Sequence, residues 1–148
     1  DKNLIFDSVK ENLFLRIGLN NCTNFSISKY RESADFQNAV FLGEANFADK
    51  DGGRAAKFFF DANFNNSQFR SNATVSGVHF NGNAYFAGID FDKAAYFMGA
   101  EFDGCAQFSK VRFNGTAKLN GALFGGCVML EEITYNETAD FKGARFKG

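Results

Sequence analysis

The sequence contains no proline, no tryptophan and a single histidine among its 148 residues. Proline has no backbone N–H to donate, so its absence is expected in a fold whose β-ladders use nearly every backbone N–H. The chain also lacks any run approaching the roughly 18 consecutive apolar residues of a membrane-spanning helix, and it shows no secretory signal. We therefore expect no membrane span in this chain.

An excess of charge of one sign is missing as well. Seventeen acidic residues oppose 16 basic ones, giving a net charge of −1, and the basic residues form no continuous stripe. Nucleic-acid binding requires a concentrated basic surface. The composition therefore argues against a nucleic-acid partner.

Motifs that carry known catalytic chemistry are absent too. The sequence has no phosphate-binding loop, no dinucleotide-binding fingerprint and no zinc-ligand spacing. His79 precedes Phe80, so on a strand whose phenylalanine faces inward the histidine faces solvent, and we expect a surface residue instead of a catalytic base. The sequence predicts a non-enzyme with no cofactor and no metal.

Phenylalanine, in contrast, is abundant and regularly spaced. The chain has 21 phenylalanines, and from Ala62 onward they recur, with occasional Val, Leu or Tyr, at alternating intervals of five and six residues. The eleven-residue unit reads Ala-x-Phe-x-x-(Ala/Val/Ile)-x-Phe-x-Gly-x, as in residues 95–105 and 106–116. A fixed internal period is typical of a repeat architecture.

Helical spacing does not explain this unit. Its four apolar positions would spread around a helix without forming one face, whereas on short strands they form two pairs that each share a side. The second pair is an odd number of residues away from the first, so on one continuous strand the two pairs would face opposite sides. For both pairs to face the core, the chain must turn after each central residue. The unit therefore predicts two short strands separated by turns.

The residue type at each position of the unit is more uniform when positions 22 residues apart are compared. One glycine column contains Gly77, Gly99, Gly121 and Gly143, and a second contains Gly82, Gly104, Gly126 and Gly148. Positions eleven residues out of phase are mixed, with Gly88, Lys110 and Glu132 in one column and Lys93, Gly115 and Glu137 in the other, so two units, or four faces, complete one coil. Uniform glycine at these corners predicts a backbone with positive φ, as in a type II turn.

Runs such as residues 139–143 (Ala-Asp-Phe-Lys-Gly) and 34–38 (Ala-Asp-Phe-Gln-Asn) resemble the pentapeptide repeat family, whose motif is Ala-(Asp/Asn)-(Leu/Phe)-x-x. The resemblance covers nearly the whole chain and implies an all-β, right-handed quadrilateral β-helix of about six coils of about 22 residues. The central residue and the small residue two before it would face inward. This sequence departs from the family by adding a sixth residue to every second unit and by preferring Phe to Leu. We expect the added residue to widen two corners and leave the coil intact.

The phenylalanines should form the core of such a coil. All of them except Phe6, Phe59 and Phe60 fall on central positions. Because stacked coils lie ~4.8 Å apart, rings in one column should stack along the axis. Burying each ring contributes about 2–3 kcal/mol, and the alanine column leaves room for the rings.

Two segments break the rhythm and define the predicted organisation. Residues 1–13 have approximate helical spacing and are expected to cap the first coil, with a membrane-surface helix as the alternative. The β-helix should then span residues 14–148. Phe47 and Phe58 are eleven residues apart where five are due, which predicts a loop insertion at about residues 48–55. This loop either contacts a partner or is a tolerated excursion, and its Asp-x-Asp-Gly lacks the rest of a calcium-binding loop.

The last coil ends in full repeat at Phe141 and Phe146, without a capping sequence. An uncapped coil presents unpaired backbone groups and apolar rings. This predicts a possible homodimer through the C-terminal coil, or a sequence cut from a longer protein.

Three cysteines bear on the compartment. Cys105 and Cys127 lie 22 residues apart, hence in adjacent coils, and their Cα separation would permit a disulfide. Parallel stacked side chains seldom have the required geometry, so we expect free thiols, including Cys22, in a reducing compartment. The expected location is therefore the cytoplasm.

Among charged residues, the 22-residue period places Asp90 and Asp92 next to Arg70 and Arg112 of the adjoining coils. This arrangement favours a charge ladder between coils over a carboxylate pair for acid–base work.

The function that these observations favour is a non-catalytic structural or protein-interaction module with an unknown protein partner. A first alternative comes from the resemblance, because some members of the family mimic DNA and bind the type II topoisomerase gyrase, a role that requires a strongly acidic face. A second alternative is an accessory domain of a larger protein, for example a membrane-associated one. Candidate contact residues are the loop residues Asp49, Lys50, Asp51 and Arg54 and the outward Tyr85, Tyr96, Met98, Leu123 and Met129.

Overall fold

The computed structural model describes residues 23–26, 28–48 and 55–148, so the predicted cap at residues 1–13 and loop residues 49–54 lie outside the described part. The described residues form 22 short strands in four parallel sheets, and every fourth strand belongs to the same sheet. This all-β, four-sided solenoid agrees with the predicted fold class.

The strands, numbered in chain order, are distributed as follows. Sheet I contains β1 (Thr23–Asn24), β5 (Ala45–Asn46), β9 (Ala73–Thr74), β13 (Ala95–Tyr96), β17 (Ala117–Lys118) and β21 (Ala139–Asp140). Sheet II contains β2 (Lys29–Tyr30), β6 (Lys57–Phe58), β10 (His79–Phe80), β14 (Glu101–Phe102), β18 (Leu123–Phe124) and β22 (Arg145–Phe146). Sheet III contains β3 (Ala34–Asp35), β7 (Ala62–Asn63), β11 (Ala84–Tyr85), β15 (Ala106–Ser109) and β19 (Val128–Glu131). Sheet IV contains β4 (Val40–Phe41), β8 (Gln68–Phe69), β12 (Asp90–Phe91), β16 (Arg112–Phe113) and β20 (Thr134–Tyr135).

Strand register gives the length of a coil directly. Phe80 pairs with Phe102, so the register advances by 22 in residue number, and the same step holds between neighbouring strands up to β22. Between the first coil and the next, Tyr30 pairs with Phe58, and the step is longer by six. Six extra residues therefore lie between β5 and β6. The N–H of Ala56 donates to the carbonyl of Phe47 at 2.8 Å. This hydrogen bond closes the corner between β5 of sheet I and β6 of sheet II.

The corners are of two kinds, following the five- and six-residue steps. In a five-residue step the N–H of Ala100 donates to the carbonyl of Phe97 at 3.1 Å, and Gly99 between them has a φ of 62°. Positive φ also occurs at this position where the residue is not glycine, as at Lys110 (55°) and Glu132 (52°). These corners have the tight, positive-φ turn that the sequence predicts.

The second glycine column, in the six-residue corners, corrects that prediction. Gly82, Gly104 and Gly126 do not have positive φ. A Cβ built on Gly104 would lie 2.5 Å from the carbonyl oxygen of Gly82 in the coil below. Glycine is required here because two backbones approach closely, and the longer corner keeps the coil intact.

The core consists of aromatic columns. In sheet II six rings stack without interruption, with centroids 4.4–4.9 Å apart and planes within 3° of parallel. Rings of neighbouring columns meet edge to face, as between Phe80 and Phe86 at 5.9 Å. The predicted ring stacking is confirmed, and the alanines two residues before the central positions are buried from Ala34 to Ala117. The six stacked rings are Tyr30, Phe58, Phe80, Phe102, Phe124 and Phe146.

Tyrosines at central positions report how burial changes along the rod. Tyr30 is 4% exposed, and burial raises its pKa well above the usual range. Tyr135, in the last coil, is 37% exposed, and burial raises its pKa as well.

One prediction about the cysteines is wrong. Cys105 and Cys127 form a disulfide between adjacent coils, with a Cα–Cα distance of 4.5 Å, inside the usual range for a cystine. The coil spacing alone brings the two Cβ atoms close enough, at a corner where the side chains face outward. Because Cys105 and Cys127 are not free thiols, they no longer support the predicted reducing compartment.

Candidate interaction surfaces

The outward residues selected from the sequence do not form one patch. Tyr85 and Met129 occupy one outward column of sheet III, but Gln107 separates them. Tyr96 lies on sheet I, Leu123 on sheet II and Met98 in the corner between these two sheets. Met98 and Met129 are each 41% exposed, whereas the others are partly buried. The loop residues Asp49, Lys50, Asp51 and Arg54 lie outside the described residues.

On sheet I the polar contacts serve the rod itself. The ammonium of Lys118 lies 5.8 Å from the ring centroid of Tyr96, a cation–π contact between adjacent coils. A hydrogen bond from Asn120 and the backbone N–H of Lys142, 2.9 Å away, lower the pKa of Asp140. Tyr96 is thus already engaged by a neighbour.

A shallow groove of about 370 Å³ lies on sheet III below Tyr85. Its polar atoms are largely committed to the coils: Asp61 accepts the N–H of Asn83 at 2.8 Å, and Asn65 accepts the N–H of Ala87 at 2.8 Å. The groove is therefore a by-product of backbone capping between coils. Its lining comprises Ser33, Ala34, Asp35, Asp61, Asn63, Asn65 and Tyr85.

Sheet IV carries the charge ladder that the sequence predicts. Arg70 donates to Asp92 at 2.8 Å, and Arg112 makes a two-pronged contact with Asp90 at 2.7 and 2.8 Å. The hydrogen bond to each carboxylate is the main cause of the raised pKa of each guanidinium. Because these groups are exposed, the ladder mainly fixes side-chain geometry and contributes little stability.

His79 faces outward on sheet II, as expected from its position before Phe80. Its Nε2 lies 2.7 Å from Oδ2 of Asp103, and its Nδ1 lies 3.9 Å from Oε2 of Glu101. Both carboxylates belong to the next coil, so this contact also links adjacent coils. Among the described residues no group of three or more His, Cys, Asp or Glu could hold a metal ion.

The last coil presents its core positions to solvent. Phe146 is 47% exposed, Leu130 46% and Tyr135 37%, and Phe141 is partly buried. The equivalent residues in the preceding coils are buried. The residues of the last coil are exposed because no further coil of the described residues packs on them. These residues include both positions predicted as a dimer edge.

The most distinctive exposed group was not among the selected residues. Phe59 and Phe60 are 40% and 56% exposed and follow β6 at the corner between sheets II and III. Lys57 lies with its ammonium 5.1 Å from the ring centroid of Phe59. The sequence carried the signal, since these phenylalanines fall outside the period. Together with Lys29 and Arg31 of the neighbouring coil they form what we call the basic–aromatic patch: Lys29, Arg31, Lys57, Phe59 and Phe60.

Comparison with known proteins bears on this geometry. The family model of pentapeptide repeats, with nine copies, matches residues 86–132 and 97–145. Residues 86–145, somewhat less than half of the chain, are therefore similar to pentapeptide repeats. The parallel register of the four sheets extends the same pattern back to β1, through strands outside the matched residues.

Pentapeptide repeats fix the fold and leave the activity open. A solved structure of trypsin-treated QnrB1, a plasmid-mediated fluoroquinolone resistance protein, is 14% identical over 97% of this chain and 89% of that chain, with a TM-score of 0.20. At that TM-score the likeness carries no argument about function. No curated protein matches this chain. No helix among the described residues is long and apolar enough to cross a membrane.

Proposed function

We propose that this pentapeptide-repeat solenoid is a non-catalytic protein-interaction module. The interior is filled by stacked rings and alanines, so recognition has to use the outer surface. The observation that carries the proposal is the adjacent pair Phe59 and Phe60. Away from the last coil, these are the exposed phenylalanines among the described residues. Phenylalanine and arginine are enriched in the cores of protein interfaces, and an apolar pair rimmed by charge is typical of a contact site.

Quantitative affinity capture with the purified chain tests this proposal. The double variant Phe59→Ser/Phe60→Ser should lose specific partners that the wild-type chain retains. Leu42→Ser is the matched control, because Leu42 is also 45% exposed at a corner but lies elsewhere on the surface. Equal recovery of all partners with both variants would contradict the proposal.

The loop residues Asp49, Lys50, Asp51 and Arg54 are proposed as further contacts of the same partner. The insertion enters sheet II at one end of β6, and Phe59 follows the other end. A two-residue strand with its flanking residues spans roughly 10 Å. A single partner could therefore touch both.

A second copy of this chain is a further proposed partner, through the last coil. The exposed Phe146 and Leu130 and the partly buried Phe141 support this. Sedimentation velocity should detect a concentration-dependent dimer that persists in high salt and is lost in Phe146→Glu. Phe60→Glu should leave the dimer intact, whereas a wild-type chain that stays monomeric would contradict the idea.

DNA mimicry finds no support in the outer surface. The outward column of sheet II contains one acidic residue among basic, neutral and apolar ones, instead of presenting a continuous acidic face. Inhibition of gyrase supercoiling by the purified chain would nevertheless restore this function. That column runs Lys29, Lys57, His79, Glu101, Leu123 and Arg145.

A further inference from the structure

We infer that the basic–aromatic patch binds an acidic segment of a partner protein that also presents an apolar side chain. This inference rests on the proposed interaction function and adds the chemistry of the partner. It begins with the position of the cations. Lys29 and Lys57 are register partners in adjacent coils, so two like charges lie side by side about one strand spacing, ~4.8 Å, apart.

Such a pair is unfavourable on its own, because like charges directly opposite each other destabilise a sheet. The rest of the rod avoids this arrangement: Arg70 and Arg112 each contact an aspartate of the adjacent coil. Within residues 23–26, 28–48 and 55–148, no carboxylate lies within ion-pair range of Lys29, Arg31 or Lys57. Other lysines of the rod also lack an ion pair, but their register partners do not carry the same charge. Among the described residues, the patch therefore brings three cations together without a carboxylate partner, two of them side by side.

Aromatic surface adjoins this charge. Arg31 follows β2 as Phe59 follows β6, so the two residues occupy neighbouring positions beside the paired lysines. Lys57 lies over the ring of Phe59 instead of reaching a carboxylate. Glu32, the nearby anion at the corner, makes no ion pair with these cations. A ligand that matches the patch must supply carboxylates for the cations and an apolar group for the two rings.

The spacing suits a protein segment. The Cβ atoms of acidic residues three or four positions apart on a helix are about 5–6 Å apart, close to the step between the two lysines. Carboxylates that contact Lys or Arg form charge-assisted hydrogen bonds, and the phenylalanines would shield them from water.

A nucleic acid or an anionic membrane suits the patch less well. Three cations are few against the six to ten phosphate contacts, roughly, that support strong DNA binding. Two coils beyond Lys57 on the same sheet, Glu101 and Asp103 present negative charge that repels an extended polyanion or a lipid surface. The favourable region is one or two coils long, which fits a short peptide.

Selection of a phage-displayed library of random 12-residue peptides on the immobilised chain tests this inference. The selected peptides should be enriched in Asp and Glu together with an aromatic or aliphatic residue. Their affinity, measured by fluorescence anisotropy with synthetic peptides, should fall about tenfold or more in Lys29→Glu/Lys57→Glu and in Phe59→Ser/Phe60→Ser. Raising the salt concentration should weaken binding to the wild-type chain. Lys93→Glu/Lys118→Glu makes the same charge change outside the patch and should bind as the wild type does; circular dichroism confirms that each variant is folded.

Each other outcome overturns the acidic-partner inference. Neutral peptides that require Phe59 and Phe60 but bind the lysine variant equally would leave the interaction function standing and refute the acidic chemistry. A selection that yields no peptide, or peptides unaffected by either patch variant, would remove the patch as a peptide site. Tighter binding of oligo(dT) or of phosphatidylserine vesicles than of any selected peptide would assign the patch to a nucleic acid or a membrane.

Discussion

The middle coils and the last coil carry the same sequence pattern and differ in what surrounds them. Phe102 and Phe146 belong to one column of stacked rings, yet Phe102 is 1% exposed and Phe146 47%. The repeat thus determines where a ring points, and the coil above determines whether it is buried. In a solenoid of this kind stability is a sum over coils and their contacts, so equivalent substitutions should have effects that depend on position.

The largest expected difference comes from removing equivalent rings. Phe102→Ala leaves a cavity between two coils and should lower the free energy of unfolding by about 3–5 kcal/mol. Phe146→Ala removes a ring that is already half in solvent and should cost about 1 kcal/mol or less. Urea denaturation of both variants measures the difference; similar losses would mean that the last coil is covered in solution.

Reduction of the Cys105–Cys127 disulfide should weaken the last coil in particular. The bond closes a 22-residue loop, and for loops of this size the lost stabilisation is about 3 kcal/mol. Hydrogen exchange in a reducing buffer should accelerate at β19–β22 and leave β10–β14 protected. Cys105→Ser/Cys127→Ser should exchange at the fast rate with or without reductant, and uniform acceleration along the rod would contradict a local effect.

Glycine substitutions in the two kinds of corner distinguish two reasons for requiring glycine: a close contact between coils and a positive φ. Gly104→Ala places a Cβ against the backbone of Gly82 and should destabilise by about 2–3 kcal/mol. Gly99→Ala has open space around the new methyl group but retains a positive φ, so about 1 kcal/mol is expected. Thermal and urea denaturation rank the two variants, and a larger loss at Gly99 would reverse this assignment.

Alkaline pH should expose the smallest difference, between the buried Tyr30 and the half-exposed Tyr135. Burial raises the folded pKa of Tyr30, so its contribution to stability is complete below the unfolded value near 10 and is lost as the pH rises towards the folded value. Tyr30→Phe should flatten the fall in stability above pH 10 by about 1 kcal/mol per pH unit. Tyr135→Phe should flatten it less, and equal slopes would contradict the difference in burial.

The sequence predicts the periodic features of this molecule well, because each of them recurs at the same position in every coil. The spacing of Phe80 and Phe102 gives the 22-residue circuit, and the same offset predicts the contact of Arg112 with Asp90. Features that depend on local distance were predicted less well. A glycine column indicates either positive φ or a close backbone approach, and only the structure assigns Gly99 to the first and Gly104 to the second.

Two parts of the surface could not be derived from the period. Whether Cys105 and Cys127 form a disulfide depends on distances well below one strand spacing, which residue spacing does not give. The period marks Phe59 as off the core but does not indicate that two lysines lie side by side next to it, with no carboxylate partner in the described part of the chain. That pairing appears only when the register places Lys29 beside Lys57 across the insertion.

The central claim is that the chain closes one circuit per 22-residue period and that the insertion between β5 and β6 lengthens a single circuit. Cysteine pairs in a chain with Cys22, Cys105 and Cys127 changed to Ser test it most directly. Val40→Cys/Gln68→Cys joins register partners across the insertion and should cross-link rapidly on oxidation with copper phenanthroline. Asn46→Cys/Gln68→Cys has the sequence separation of an ordinary coil, but the register places Asn46 beside Thr74 on another sheet, so this pair should not cross-link. Rapid cross-linking of the second pair with none of the first would contradict the circuit.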